Sequence, residues 1–86
     1  MSVRVIYKEA SDHSRDTVTF LHDFERRTGV SLDVLDPDTR DGAEICRLYD
    51  IVQYPAILAT DESGVMLNAW QGLPLPTIDE VSYYVQ

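Results

Sequence analysis

The chain has 86 residues, enough for one small domain, because a second core would need roughly another hundred. Hydrophobic residues make up 44% and charged residues 26%, a globular balance that indicates neither disorder nor a coiled coil. Seven Lys and Arg face fifteen Asp and Glu, a net charge of −8, which argues against nucleic acid or an anionic membrane as partner.

No apolar run reaches the ~20 residues that a bilayer span requires, and no charged-then-apolar leader opens the chain. The single cysteine, Cys46, rules out an intramolecular disulfide and a cysteine-rich zinc site. A chain without disulfides is expected in the cytoplasm.

From Val3 to Glu9, β-branched and aromatic residues at positions 3, 5, 6 and 7 predict a strand buried on both faces. Ser11-Asp12-His13-Ser14 is a polar cluster rich in helix N-cap types. From Arg15 onward, Thr17, Phe20, Leu21, Phe24 and Thr28 recur at three and four, which predicts an amphipathic helix. Gly29 ends it as a left-handed cap, with Arg26 and Arg27 in the last turn, where the helix dipole favours cations.

Val30 to Leu35 alternates with period two, placing Val30, Leu32 and Val34 on one face of a half-buried strand, and Asp36-Pro37-Asp38 turns the chain. Asp41 with Glu44 reads as a variant capping box, followed by a stripe of Ile45, Leu48, Tyr49 and Val52, with Cys46 one position off it. Ala56 to Ala59 and Val65 to Trp70 read as strands joined by a hairpin turn at Asp61 to Gly64. Gly72, Pro74 and Pro76 mark a loop. Thr77 and Glu80 form a second capping box, opening a final helix with Ile78, Val81, Tyr84 and Val85.

The order β-α-β-α-β-β-α implies two parallel strands joined by a right-handed crossover, then an antiparallel hairpin. The fold class is therefore α/β: a four-stranded mixed sheet in one domain over residues 1–86, with helices on both faces.

That order, the length, and Val52-Gln53-Tyr54-Pro55-Ala56-Ile57 ahead of the third strand resemble the thioredoxin and glutaredoxin superfamily over essentially the whole chain. The resemblance implies a cis-proline at Pro55, and Gly72 looks like the family's glycine after the fourth strand. The family's chemistry comes from Cys-x-x-Cys at the start of the first helix, where the dipole and free N–H groups stabilise a thiolate. Here that place reads Ser11-Asp12-His13-Ser14, so Ser11 and Ser14 stand where the two cysteines would be. A hydroxyl forms no disulfide, and dithiol exchange is excluded by composition.

Each candidate carries a second reading. Ser11, His13 and Ser14 invite comparison with a Ser–His nucleophile, but no G-x-S-x-G elbow is present. The alternatives are caps at Ser11, Asp12 or Ser14 beside a solvated His13, or an anion site at the helix start, which Asp12 and Asp16 oppose. Cys46 reads either as a monothiol centre or as an inert small hydrophobe.

His13 and His22 lack metal-ligand spacing, and Asp33, Asp36, Asp38 and Asp41 match no EF-hand, so neither metal nor cofactor is expected. Lys8 and Arg15 are too outnumbered by Glu9, Asp12 and Asp16 to favour glutathione. Tyr7 and Trp70 read as packing residues.

Tyr54 and Pro55 have the strongest functional case, since in the resembling family this loop pairs with an extended peptide, although proline there also shapes the strand start. Three functions follow as expectations. One is a redox-inactive module holding a protein or peptide through Tyr54 and Pro55, with Ser11 and Ser14 beside them. A second is a monothiol enzyme using Cys46. The third is a structural subunit whose acidic surface meets a basic partner. An apolar patch of Tyr83, Tyr84 and Val85 would give a homodimer.

Overall fold

Alternating and helical hydrophobic spacings resolve into seven elements in a computed structural model that describes residues Met1 to Val85. They are β1 (Ser2–Ile6), α1 (Ser14–Thr28), β2 (Asp33–Leu35), α2 (Arg40–Leu48), β3 (Ala56–Thr60), β4 (Met66–Gln71) and α3 (Ile78–Ser82), the last running into a 3₁₀ turn at Tyr83–Val85.

The sheet order is β2-β1-β3-β4. β1 and β2 run parallel, with Val5 opposite Val34. β1 and β3 are antiparallel, with Val5 opposite Ile57. β3 and β4 are antiparallel, with Ile57 opposite Trp70. The expected mixed sheet and parallel crossover are therefore present.

Side-chain alternation splits the core into two layers. On one face Val3, Val5, Ile57 and Ala59 pack with Phe20 and Phe24 of α1 and Val81 of α3. On the other, Ile6, Ala56 and Leu58 pack with Cys46 of α2 and Ile51. Every residue of β3 is buried, as the central strand of a sheet covered on both faces must be. Phe20 and Phe24 stack at 5.9 Å, one turn apart on α1.

Local chemistry sets the element ends. Gly29 ends α1 at φ 75°, with its N–H on the Glu25 carbonyl at 2.8 Å. In the β3–β4 hairpin, the Asp61 carboxylate accepts from Ser63 N–H and Val65 N–H at 2.8 and 3.0 Å. The Thr77–Glu80 capping box is complete: Thr77 Oγ1 accepts from Glu80 N–H, and the Glu80 carboxylate accepts from Thr77 N–H.

Several expectations are corrected. β2 is three residues long, because Val30 is still engaged with the end of α1 through Thr28 Oγ1. Val30 and Leu32 pack against the core while Val34, on the sheet edge, is 48% exposed. The cap of α2 is Thr39, whose Oγ1 accepts from Gly42 N–H at 3.1 Å, and Asp41 lies within the helix. Cys46 lies at the buried centre of α2 rather than off its apolar stripe, and Leu48 and Val52 are each 71% exposed. The helix crosses the sheet on Gly42, Ile45, Cys46 and Tyr49, a face rotated by about one position from the expected one. Tyr84 and Val85 pack against the first core layer, so only Tyr83 of the C-terminal trio is an exposed large apolar residue.

Candidate functional site

The C-terminal ends of β1 and β2 and the N-terminal end of β3 lie at one end of the sheet. There the chain leaves β1 through Tyr7 and Lys8, and Ser11-Asp12-His13-Ser14 folds back over it. The Ser11 hydroxyl donates to the Lys8 carbonyl, and the Lys8 N–H donates to His13 Nε2 at 3.0 Å. Both backbone polar groups of Lys8 are thus held by side chains of the segment expected to carry chemistry.

These bonds revise the expected roles. His13, not Ser11, Asp12 or Ser14, is the N-cap of α1, and it makes no side-chain cap bond. Ser14 begins the helix, its N–H directed to the Ser11 carbonyl at 3.3 Å. The buried Thr17 donates both its backbone N–H, at 3.1 Å, and its hydroxyl, at 2.8 Å, to the His13 carbonyl, a back-bond along the first turn rather than a cap. His13 is half-buried, its ring edge-on to Tyr7 at 6.4 Å, rather than solvated. With the Ser11 hydroxyl spent on a carbonyl and the acceptor nitrogen of His13 on an amide, no Ser–His pair is set for nucleophilic attack.

The clamp aims Lys8. Its ammonium lies 5.4 Å from the centre of the Tyr54 ring and 3.5 Å from the Asp38 carboxylate. Burial is the largest influence holding the Tyr54 phenol above its ordinary value. The neighbouring Cys46 and the negative charge of Asp38 push it the same way. Cys46 lies beneath Tyr54 at 7% exposure, within the core layer under α2.

The Tyr54–Pro55 peptide bond is cis, as is Leu73–Pro74. Pro55 is buried, and its carbonyl accepts from Gly72 N–H at 2.9 Å, which ties the turn to β4. Gly72 holds φ 80°, and a side chain on it would meet Gln53. Gln71 fastens the same loop: its Oε1 accepts from Val52 N–H at 2.8 Å and Gln53 N–H at 3.1 Å, and its amide donates to the Asp50 carbonyl at 3.3 Å. Among the described residues, neither the N–H nor the carbonyl of Tyr54 has a hydrogen-bond partner. Tyr54 thus presents a free donor and acceptor on a loop held from both sides.

The fold is thioredoxin-like. Thioredoxin 1 from the thermophilic eubacterium Thermosipho africanus TCF52B superposes with a TM-score of 0.66 at 9% identity, over 99% of this chain and 90% of that one. A malarial protein superposes with a TM-score of 0.64 at 12% identity, over 96% and 90% respectively. No family model matches the chain. No curated protein matches it in sequence.

Within this thioredoxin-like frame, the structure brings Ser11 and His13 together on Lys8, and Lys8 together with Tyr54. Sequence reasoning missed Lys8 as the hub, Asp38 as its partner and Gln71 as the loop fastener. Lys8 carries no signal beyond lying between the first strand and the Ser11–Ser14 segment. Gln71 carries none at all, because its partners are 18 to 21 residues away.

The hollows flanking Tyr7 hold about 160 Å³, lined by Tyr7, Glu9, Val34 and Asp36, and about 240 Å³ between α1 and β2. Both are smaller than the roughly 300 Å³ at which small-molecule pockets begin. Among the described residues, no three His, Cys, Asp or Glu side chains are grouped to hold a metal, and no helix is long and apolar enough to cross a membrane.

Proposed function

We propose that this chain is a binding module that holds an extended segment of another polypeptide against the Tyr54–Pro55 turn, without redox chemistry. The observation that carries the reading is the unpartnered N–H and carbonyl of Tyr54. An extended segment has one donor and one acceptor per residue and can satisfy both, in the manner of strand addition. The fixed loop supports it, since a site already rigid loses less entropy on binding. The Tyr54 ring and the exposed Val52 offer apolar contact on the same loop. Ser11 and Ser14 serve this reading indirectly, Ser11 by holding Lys8 over the Tyr54 ring and Ser14 by starting α1 behind it.

A monothiol role for Cys46 has less support, because a nucleophilic thiolate must reach its substrate and this thiol is packed among Ile6, Ile51, Ala56 and Leu58. The test is panning of a random extended-peptide library on the full chain, followed by affinity measurement for the selected peptides. Tyr54→Ala is expected to weaken binding at least tenfold, about 1.4 kcal/mol. Amide resonances of Tyr54 and Gly72 are expected to shift on titration. Peptides that bind Tyr54→Ala as well as wild type, or that shift only resonances elsewhere, refute the reading.

A further inference from the structure

β2 is an edge strand with one neighbour, β1. The Tyr7 N–H donates to the Leu35 carbonyl at 3.2 Å, and with Val5 opposite Val34 this sets the phase of the parallel ladder. Asp33 and Leu35 turn their backbone groups toward β1, whereas Val34 between them turns its N–H and carbonyl outward. Among the described residues, neither of these two groups has a hydrogen-bond partner. Val34 is also 48% exposed, so its side chain and its backbone are both reachable from solvent.

Two hollows adjoin Val34. One, about 240 Å³, lies between α1 and β2 over Leu21, Leu32 and Val34, with His22 and Glu25 beside it. The other, about 160 Å³, lies over Tyr7 and Val34, with Glu9 and Asp36 beside it. Leu32, Val34 and Asp36 are spaced by two, so the hollows follow one another at the side-chain repeat of a strand, about 6.6 Å. Neither hollow holds a whole small-molecule ligand, but each has room for one long side chain. An extended segment lying along β2 would present side chains to both.

Charge selects the occupant. Glu9, Glu25 and Asp36 are exposed, and among the described residues they take part in no ion pair. No Lys or Arg lines either hollow. The cations Lys8, Arg26 and Arg40 are engaged with other carboxylates. A floor of Tyr7, Leu21, Leu32 and Val34 under an acidic rim matches a Lys or Arg side chain, whose stem is apolar and whose head is charged. Carboxylates beside an edge strand turn away an acidic strand by repulsion, and an apolar one by the cost of desolvating them. A second copy of this chain carries the same charge of −8 and is repelled. A basic strand gains from the open backbone groups and from the charges together.

We propose that the β2 edge binds an extended basic segment of another polypeptide, with Lys or Arg at alternate positions, through the outward Val34 backbone groups and the carboxylates of Glu9, Glu25 and Asp36. This surface is separate from the Tyr54–Pro55 turn and does not rest on that turn's function. The test titrates the full chain with the capped peptide Lys-Val-Lys-Val-Lys-Val and follows amide resonances. Saturable shifts at Leu32 and Val34 are expected, with a dissociation constant below about 1 mM at low salt that rises as salt is added. The double variant Glu9→Gln, Glu25→Gln is expected to weaken binding at least roughly tenfold with unchanged circular dichroism, because it removes two of the three carboxylates. The same peptide N-methylated at every residue keeps its charge but has no backbone donors, and spermidine has charge alone; each is expected to bind at least roughly tenfold more weakly. Tyr54→Ala is expected to bind as wild type does. Absence of saturable shifts at Leu32 and Val34 overturns the proposal. So does equal affinity for the N-methylated peptide or spermidine, an unchanged affinity in the double variant, or loss of binding in Tyr54→Ala.

Discussion

The backbone N–H of Lys8 donates to Nε2 of His13 at 3.0 Å, which places the imidazole proton on Nδ1 and makes the ring part of the backbone architecture. Ser11 completes the arrangement from the carbonyl side. The chain thus has a clamp on the residue that leaves the first strand. The clamp also orders the site, because the Lys8 side chain spans Tyr54 and Asp38.

His13→Ala is expected to destabilise the chain by about 1–2 kcal/mol, since the Lys8 N–H loses its acceptor in a half-buried setting. Urea unfolding measures this. Ser11→Ala is expected to cost less, and the double variant to depart from additivity because both side chains hold one residue. Strict additivity would show that the two bonds act independently.

Gly42→Ala is expected to destabilise by about 1–3 kcal/mol net, despite the higher helix propensity of alanine. A Cβ at Gly42 would overlap the Asp36 carbonyl oxygen, where α2 lies directly on the turn after β2. Thermal unfolding at matched concentration is the check. An unchanged midpoint would mean that the turn yields without cost.

Asp50→Gly is expected to stabilise by about 0.5–1 kcal/mol. Asp50 follows the end of α2 at φ 57°, a conformation natural to glycine, and the Ile51 N–H reaches back to the Cys46 carbonyl at 2.8 Å in a Schellman closure. The substitution also removes a carboxylate from the negative end of the helix dipole. A fall in stability would count against this account of the turn.

The folded chain holds the Tyr54 proton more tightly than the unfolded chain does, because burial, and after it Cys46 and Asp38, raise its pKa above 10.0. The stability this contributes is complete below about pH 10 and is lost as pH rises through the folded value. Subtracting the alkaline phenolate titration of Tyr54→Phe from that of wild type isolates this group. Its midpoint is expected above 10.0, and a midpoint at or below that value would refute the assigned surroundings.

Much of the architecture was legible because its causes are local. The spacing of Thr17, Phe20 and Phe24, the cap at Gly29, the hairpin at Asp61 to Gly64 and the Thr77–Glu80 box are short-range arrangements, and each is present. The lone cysteine settled the question of a dithiol before any coordinates, because composition needs no geometry. The placement of Tyr54 and Pro55 ahead of the third strand was legible for the same reason.

Tertiary structure alone decided which side of α2 meets the sheet. Ile45, Leu48, Tyr49 and Val52 form as good a stripe in sequence as Gly42, Ile45, Cys46 and Tyr49, and only the close seating of Gly42 on Asp36 selects the second. It also decided what Ser11, His13 and Gln71 do, since a polar side chain takes whichever partner the folded chain brings within about 3 Å. Local spacing governs the elements, whereas side-chain partners across loops exist only after the chain has closed on itself.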